Sequence, residues 1–152
     1  MSSLQKGVSR AYNVAMERGH EMIFWCIDLH GTVLESNYSS DSFSFLNEAE
    51  TVPALKAISA LPETRIILWS GISDEDRDKV VALFNANDIR GDWVNENPAV
   101  PSSGTGHFDK KFYFSILVDD KAGFNFHDWP RVAEHAVMLS QELQTFRESN
   151  PL

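Results

Sequence analysis

FWCIDLHGTV, residues 24–33, is the stretch on which the fold turns. An apolar run over residues 22–27, rich in β-forming side chains, stops at a carboxylate, Asp28, with His30 and Gly31 close behind. A short apolar run without polar alternation is the pattern of a strand buried on both faces, as in a covered parallel sheet. Two more runs share the pattern: RIILW at residues 65–69 and FYFSILV at residues 112–118, with a short strand expected at 92–94.

Helical periodicity fills the intervals. Val8, Ala11, Tyr12, Ala15 and Met16 predict a helix over residues 3–18, closed by Gly19. Val52, Leu55 and Ile58 predict a second over 48–61, stopped by Pro62. Ser73 reads as the cap of a third, with an acidic first turn and Val80, Val81, Leu83 and Phe84 toward the core. Pro130 opens a last helix through Val132, Ala136, Leu139 and Leu143, while residues 34–48 and 96–107 read as loops. Strands alternating with helices predict a single α/β domain over residues 1–152, a Rossmann-like three-layer sandwich with a central parallel sheet and helices on both faces.

Bulk properties narrow the function. The chain has 152 residues, 43% of them hydrophobic, enough for one domain with a real core. A formal net charge of −9 argues against a protein that grips nucleic-acid backbones. Cys26 is the single cysteine, so no internal disulfide forms, which suits a reducing compartment; its place in the apolar run marks it as a small buried hydrophobe. Lys6, Arg10, Glu17 and Arg18 make the N-terminus unlike a signal peptide, and no stretch has membrane-spanning length. The expectation is a soluble, cytoplasmic protein with no membrane partner; a homo-oligomer is left open.

In a parallel α/β sheet, ligands sit beyond the carboxyl ends of the strands. Asp28, Ser70, Asp119 and Asp120 each follow an apolar strand and so fall on one rim. Three crowded carboxylates call for a hard divalent ion such as Mg²⁺. Lys111, ahead of the third strand, would join that ion in binding a phosphate dianion, and Gly31 would let the backbone turn sharply after His30. Taken singly, Asp28 and Gly31 read as turn residues and Asp119–Asp120 as a helix cap; it is their joint placement on strand ends that points to chemistry.

At these residues the chain resembles the haloacid dehalogenase-like hydrolase superfamily, in its small phosphatases without a large cap. DLHGTV (residues 28–33) is similar to the first motif, Ser70 to the second, and Lys111 with Asp119–Asp120 to the third and fourth. The resemblance runs from residue 22 to about residue 135. It implies that Asp28 is a nucleophile forming an aspartyl-phosphate, and that Mg²⁺ is held by Asp28, the His30 backbone carbonyl, Asp119 and Asp120. It implies also that Ser70, with Gly71, and a lysine hold phosphate oxygens. Lys111 is favoured over Lys110 for that role by its distance from Asp119. The expected substrate is a small phosphomonoester. KFYFSILVDDK is also similar to the deoxyribonucleotidase branch, which makes a nucleotidase the alternative.

One position departs from the family. His30 stands where those phosphatases carry the aspartate that protonates the leaving group and activates water. Imidazole is a common general acid–base near neutrality. Three outcomes follow: a working phosphatase, a slow one with a longer-lived intermediate, or a phosphate- or metal-binding module without turnover. His20, His107, His127 and His135 show no metal-ligand spacing. Trp25, Trp69, Phe112 and Phe114 read as core, and Tyr38, Phe43 and Phe45 as candidates for covering substrate.

Overall fold

The computed structural model of the chain describes residues 1–36 and 42–151. Helix α1 (Ser3–Arg18) starts at Ser2, whose hydroxyl accepts from the Gln5 N–H while the Gln5 side chain returns to the Ser2 N–H, a reciprocal cap. It ends at Gly19, which takes the left-handed conformation (φ 69°) that an L side chain disfavours. Strand β1 (Ile23–Asp28) follows, then α2 (Glu48–Ser59), β2 (Thr64–Trp69), α3 (Asp74–Ala86), β3 (Trp93–Val94), β4 (Ile116–Val118) and α4 (Trp129–Ser149). Ser73 caps α3 as expected, its hydroxyl accepting from the Asp76 N–H at 3.2 Å.

The four strands form one sheet in the order β3-β2-β1-β4, and every pairing is parallel. With helices around it, this is an α/β fold of the Rossmann-like three-layer kind. Ile23, Trp25 and Ile27 of β1, Ile66 and Leu68 of β2, and Ile116 and Val118 of β4 join one apolar core with buried residues of all four helices. Side chains alternate along a strand, so Phe24, Cys26 and Asp28 face the other way. Over that second face returns the crossover from β3 to β4, whose Tyr113 meets the Phe24 ring edge-on at 6.0 Å; Trp93 lies 6.3 Å from it.

The last strand is shorter than the apolar run at 112–118 predicts. Only residues 116–118 join the ladder. At Ser115 the ladder is completed in part by a side chain: its N–H donates to the Phe24 carbonyl at 2.8 Å, while its hydroxyl accepts from the Phe24 N–H at 3.1 Å. Just upstream, the Asn97 amide takes the Tyr113 carbonyl at 2.8 Å, and Phe112 and Phe114 meet each other ring to ring at 6.2 Å. Apolar character in this run serves ring packing as well as strand pairing.

Cys26 is buried on β1, two residues before Asp28. Burial, with the charges of Asp119 and Asp28, pushes its thiol up to about 12. Among the described residues, no helix is long and apolar enough to cross a membrane.

Candidate active site

The chain turns tightly after Asp28. The Leu29 carbonyl accepts from the N–H groups of Thr32, Val33 and Leu34 at 3.2, 2.9 and 2.9 Å, and the Gly31 N–H donates to the Leu34 carbonyl at 2.8 Å. Gly31 sits at φ +88°, and a Cβ there would stand 2.6 Å from Asp120 Oδ2. Conformation and contact thus both require glycine. The lack of a side chain lets the Asp120 carboxylate approach the turn. Beyond it, Leu34 bridges Phe45 in antiparallel fashion, and the Glu35 N–H donates to the Ser44 carbonyl at 2.9 Å.

Asp28, Asp119 and Asp120 bring carboxylate oxygens within 4.8 Å of one another. Thr32, fully buried, ties Asp28 to Asp120. Its hydroxyl accepts from the Asp120 N–H at 2.9 Å and stands 3.2 Å from Asp28 Oδ2 and 3.3 Å from Asp120 Oδ1, able to give its one proton to either. The buried Trp129 indole N–H donates to the Thr32 carbonyl at 2.9 Å, anchoring the turn to α4. Burial, then the charge of Asp119, then Asp120, push the Asp28 carboxyl from 3.8 up to about 6, against a lowering by the Thr32 hydroxyl. Such a cluster crowds three acidic groups into one place. Its donors are all hard oxygens, which fits a divalent ion such as Mg²⁺.

A cleft of about 660 Å³ opens at this end of the sheet. Asp28, His30, Ser70, Gly71 and Asp119 line it, so five of the residues singled out in the sequence share one wall system, with Asp120 joined through the acid cluster. His30 Nδ1 lies 3.1 Å from the Glu35 carbonyl. A carbonyl only accepts, so Nδ1 is the donor in this contact. The His30 ring also meets Phe43, another lining residue, at 5.9 Å.

The lysines fall differently from the sequence expectation. Lys121 lines the cleft, directly after the aspartate pair, while Lys110 and Lys111 lie outside the lining. Lys111 Nζ is 5.9 Å above the Phe114 ring. Its neighbour Phe112 packs edge-on against Trp69 at 5.5 Å. The aromatic residues also divide. Phe45 is core, 6% exposed against Phe84, whereas Phe43 reaches the cleft; Tyr38 lies outside the described residues. Trp69, read as core from its apolar run, is 46% exposed and lines the cleft, because the last residue of β2 has run past the cover of the sheet.

Asn95 gave no signal in the sequence. It sits just after β3 in the left-handed region (φ 57°), a conformation asparagine tolerates better than most side chains. Its Oδ1 accepts from the Ser70 N–H at 2.9 Å and its Nδ2 donates to the Ser70 carbonyl at 2.6 Å. This amide extends the β2–β3 pairing one residue further and fixes Ser70. The available cue was a polar residue one step past a short strand, too common in loops to single out.

Comparison with protein families, with curated proteins and with solved structures finds no match to the chain.

Proposed function

We propose that the chain is a Mg²⁺-dependent phosphomonoester hydrolase working through an aspartyl-phosphate on Asp28. The observation that carries the reading is the convergence of Asp28, Asp119 and Asp120 at the carboxyl end of a parallel sheet, on a cleft shared with His30 and Ser70. Asp28, Asp119 and Asp120 would hold the ion, with the His30 carbonyl added by the family resemblance. A bound Mg²⁺ offsets the carboxylates and the phosphate charge, so that an anionic nucleophile and a dianionic ester can meet.

The chain's own residues then divide the chemistry. An Asp28 carboxylate oxygen bonds to phosphorus as the bond from phosphorus to the ester oxygen breaks, and that oxygen takes a proton from His30 imidazolium at Nε2. Neutral Nε2 next accepts a proton from water as the water oxygen attacks phosphorus. The bond from phosphorus to Asp28 breaks, phosphate leaves, and carboxylate and imidazolium are restored. Ser70, braced by Asn95, and the Gly71 N–H hold phosphate oxygens, with Lys121 as the cation of the lining.

Turnover of p-nitrophenyl phosphate and a panel of phosphomonoesters with added Mg²⁺ tests this. Asp28→Asn should abolish turnover with the fold intact, and beryllium fluoride should bind the wild-type protein as a mimic of the aspartyl-phosphate. Wild-type rates from Asp28→Asn would remove Asp28 from the chemistry and the assignment with it.

A further inference from the structure

Asp28 and Trp69 are register partners on adjacent parallel strands. Neighbouring strands lie about 4.8 Å apart, and paired residues of parallel strands project to the same face. The indole therefore stands beside the carboxylate on the cleft side. Nearly half of it is open to solvent, although it ends a run whose other members are buried or half-buried. Phe112 packs edge-on against it at 5.5 Å and holds the indole from one side. A large, braced, half-exposed aromatic surface at the edge of a cleft is a surface suited to being covered by a ligand.

The direction of the chemistry says which part of the ligand covers it. In phosphoryl transfer the entering and leaving oxygens are roughly in line. With Asp28 attacking from the strand end, the leaving group departs outward through the cleft, past Trp69 and past His30, whose ring meets Phe43. Trp69 and Phe43 are the aromatic members of the lining among the described residues, and Ile72 adds apolar surface beside them. Asn95, the amide of the lining, has both ends of its side chain committed to Ser70. At about 660 Å³ the cleft has room for far more than the phosphate. Ser73, Asp76 and Lys121 add polar groups to the lining, and the rings of Trp69 and Phe43 are its large apolar surfaces.

We infer that the cleft takes phosphomonoesters whose leaving group carries a planar aromatic ring, with Trp69 as the platform on which that ring stacks. The inference rests on the hydrolase reading for its substrate class and adds to it a residue that determines specificity. Nucleoside 5′-monophosphates and simple aryl phosphates both present such a ring.

Three esters separate the cases: 5′-AMP, phenyl phosphate and ringless glycerol 2-phosphate. For each, kcat/KM is measured with wild type, Trp69→Ala and Trp69→Phe, each variant first checked for an intact melting transition. Trp69→Ala should lower kcat/KM for the ring-bearing esters by roughly 5- to 150-fold more than for glycerol 2-phosphate, through KM, the range expected for one lost stacking contact. Trp69→Phe should recover part of the loss. Preference for 5′-AMP over phenyl phosphate marks a nucleoside ligand, and the reverse an aryl one; both support the platform. Equal losses on all three esters would overturn it. Calorimetric binding of the same esters to Asp28→Asn supplies a readout that does not need turnover. Ring-dependent, Trp69-dependent binding without wild-type hydrolysis would keep the platform and remove the hydrolase. Hydrolysis without ring preference would do the opposite.

Discussion

The Asn95 side chain holds both backbone groups of Ser70, its Oδ1 accepting from the N–H and its Nδ2 donating to the carbonyl. A residue expected to hold phosphate is thereby fixed by a neighbour with no chemistry of its own. Asn95→Gly keeps the left-handed backbone accessible while deleting the amide, so it isolates the brace. It should lower kcat/KM by about tenfold to a hundredfold, the scale of a misplaced binding group, mainly through KM. Asn95→Asp keeps the acceptor but sets an oxygen against the Ser70 carbonyl, and should be worse than Asn95→Gly. Steady-state kinetics with p-nitrophenyl phosphate check both; identical KM values in all three proteins would show that Ser70 needs no brace.

Metal-free stability should carry the signature of Asp28. Its folded-state carboxyl titrates at about 6 against an ordinary 3.8. Between those values the unfolded chain has lost the proton that the folded chain keeps, so stability falls as pH rises from about 4 to about 6 and this contribution is constant above. In EDTA, Asp28→Asn should match wild type near pH 4 and melt higher at pH 7. A melting difference that does not vary with pH would contradict the raised carboxyl.

Mg²⁺ should reverse that penalty. If the three carboxylates share one ion, millimolar Mg²⁺ raises the melting temperature by mass action, by an increment that grows with ion concentration. Asp119→Ala and Asp120→Ala should each remove most of the response. Melting curves with and without the ion, at pH 7, decide the matter; a response that survives both substitutions places the ion elsewhere.

His30 carries the proton in both proposed steps, as donor in the first and acceptor in the second. Turnover should therefore show a bell-shaped pH profile, and His30→Ala should slow it by roughly 10²–10⁴-fold. The loss should be smaller for p-nitrophenyl phosphate, whose leaving group needs little protonation, than for an alkyl phosphate. His30→Asp restores the common family motif. Activity in His30→Asp with an inert wild type would make the natural chain a binding module, and indifference of both esters to His30→Ala would end the proton-transfer role.

Gly31→Ala tests the approach of Asp120 to the turn. The strained backbone should cost about 1–3 kcal/mol of stability. The new Cβ must also push the Asp120 carboxylate away, since it would otherwise stand 2.6 Å from Oδ2. The Mg²⁺-dependent melting increment should shrink accordingly, and an undiminished increment would show that Asp120 is no ligand.

The parts of the molecule that depend on local pattern could be read in the chain. Strand β1 with its terminal Asp28, the capped α3 and the Gly19 stop on α1 follow from apolar runs, turn chemistry and caps. The parts that depend on tertiary context could not. Trp69 looks identical to a core residue until the sheet shows that β2 outruns its cover. FYFSILV reads as one strand because ring packing and strand pairing select the same residue types. Lys121 was passed over because the resemblance assigns its lysine upstream of β4, and Asn95 because a side-chain amide pairing with backbone leaves no mark in composition.

Cys26 gives the molecule a built-in clock. It is the only thiol in the chain, it lies in the central strand β1, and both burial and a raised pKa silence it in the folded state. A thiol reagent can modify it only when that strand separates from its neighbours, so the labelling rate under native conditions times the opening of the sheet. The same rate, followed while Mg²⁺ or a phosphate ester is added, reports occupancy at the far end of β1 without any catalytic turnover.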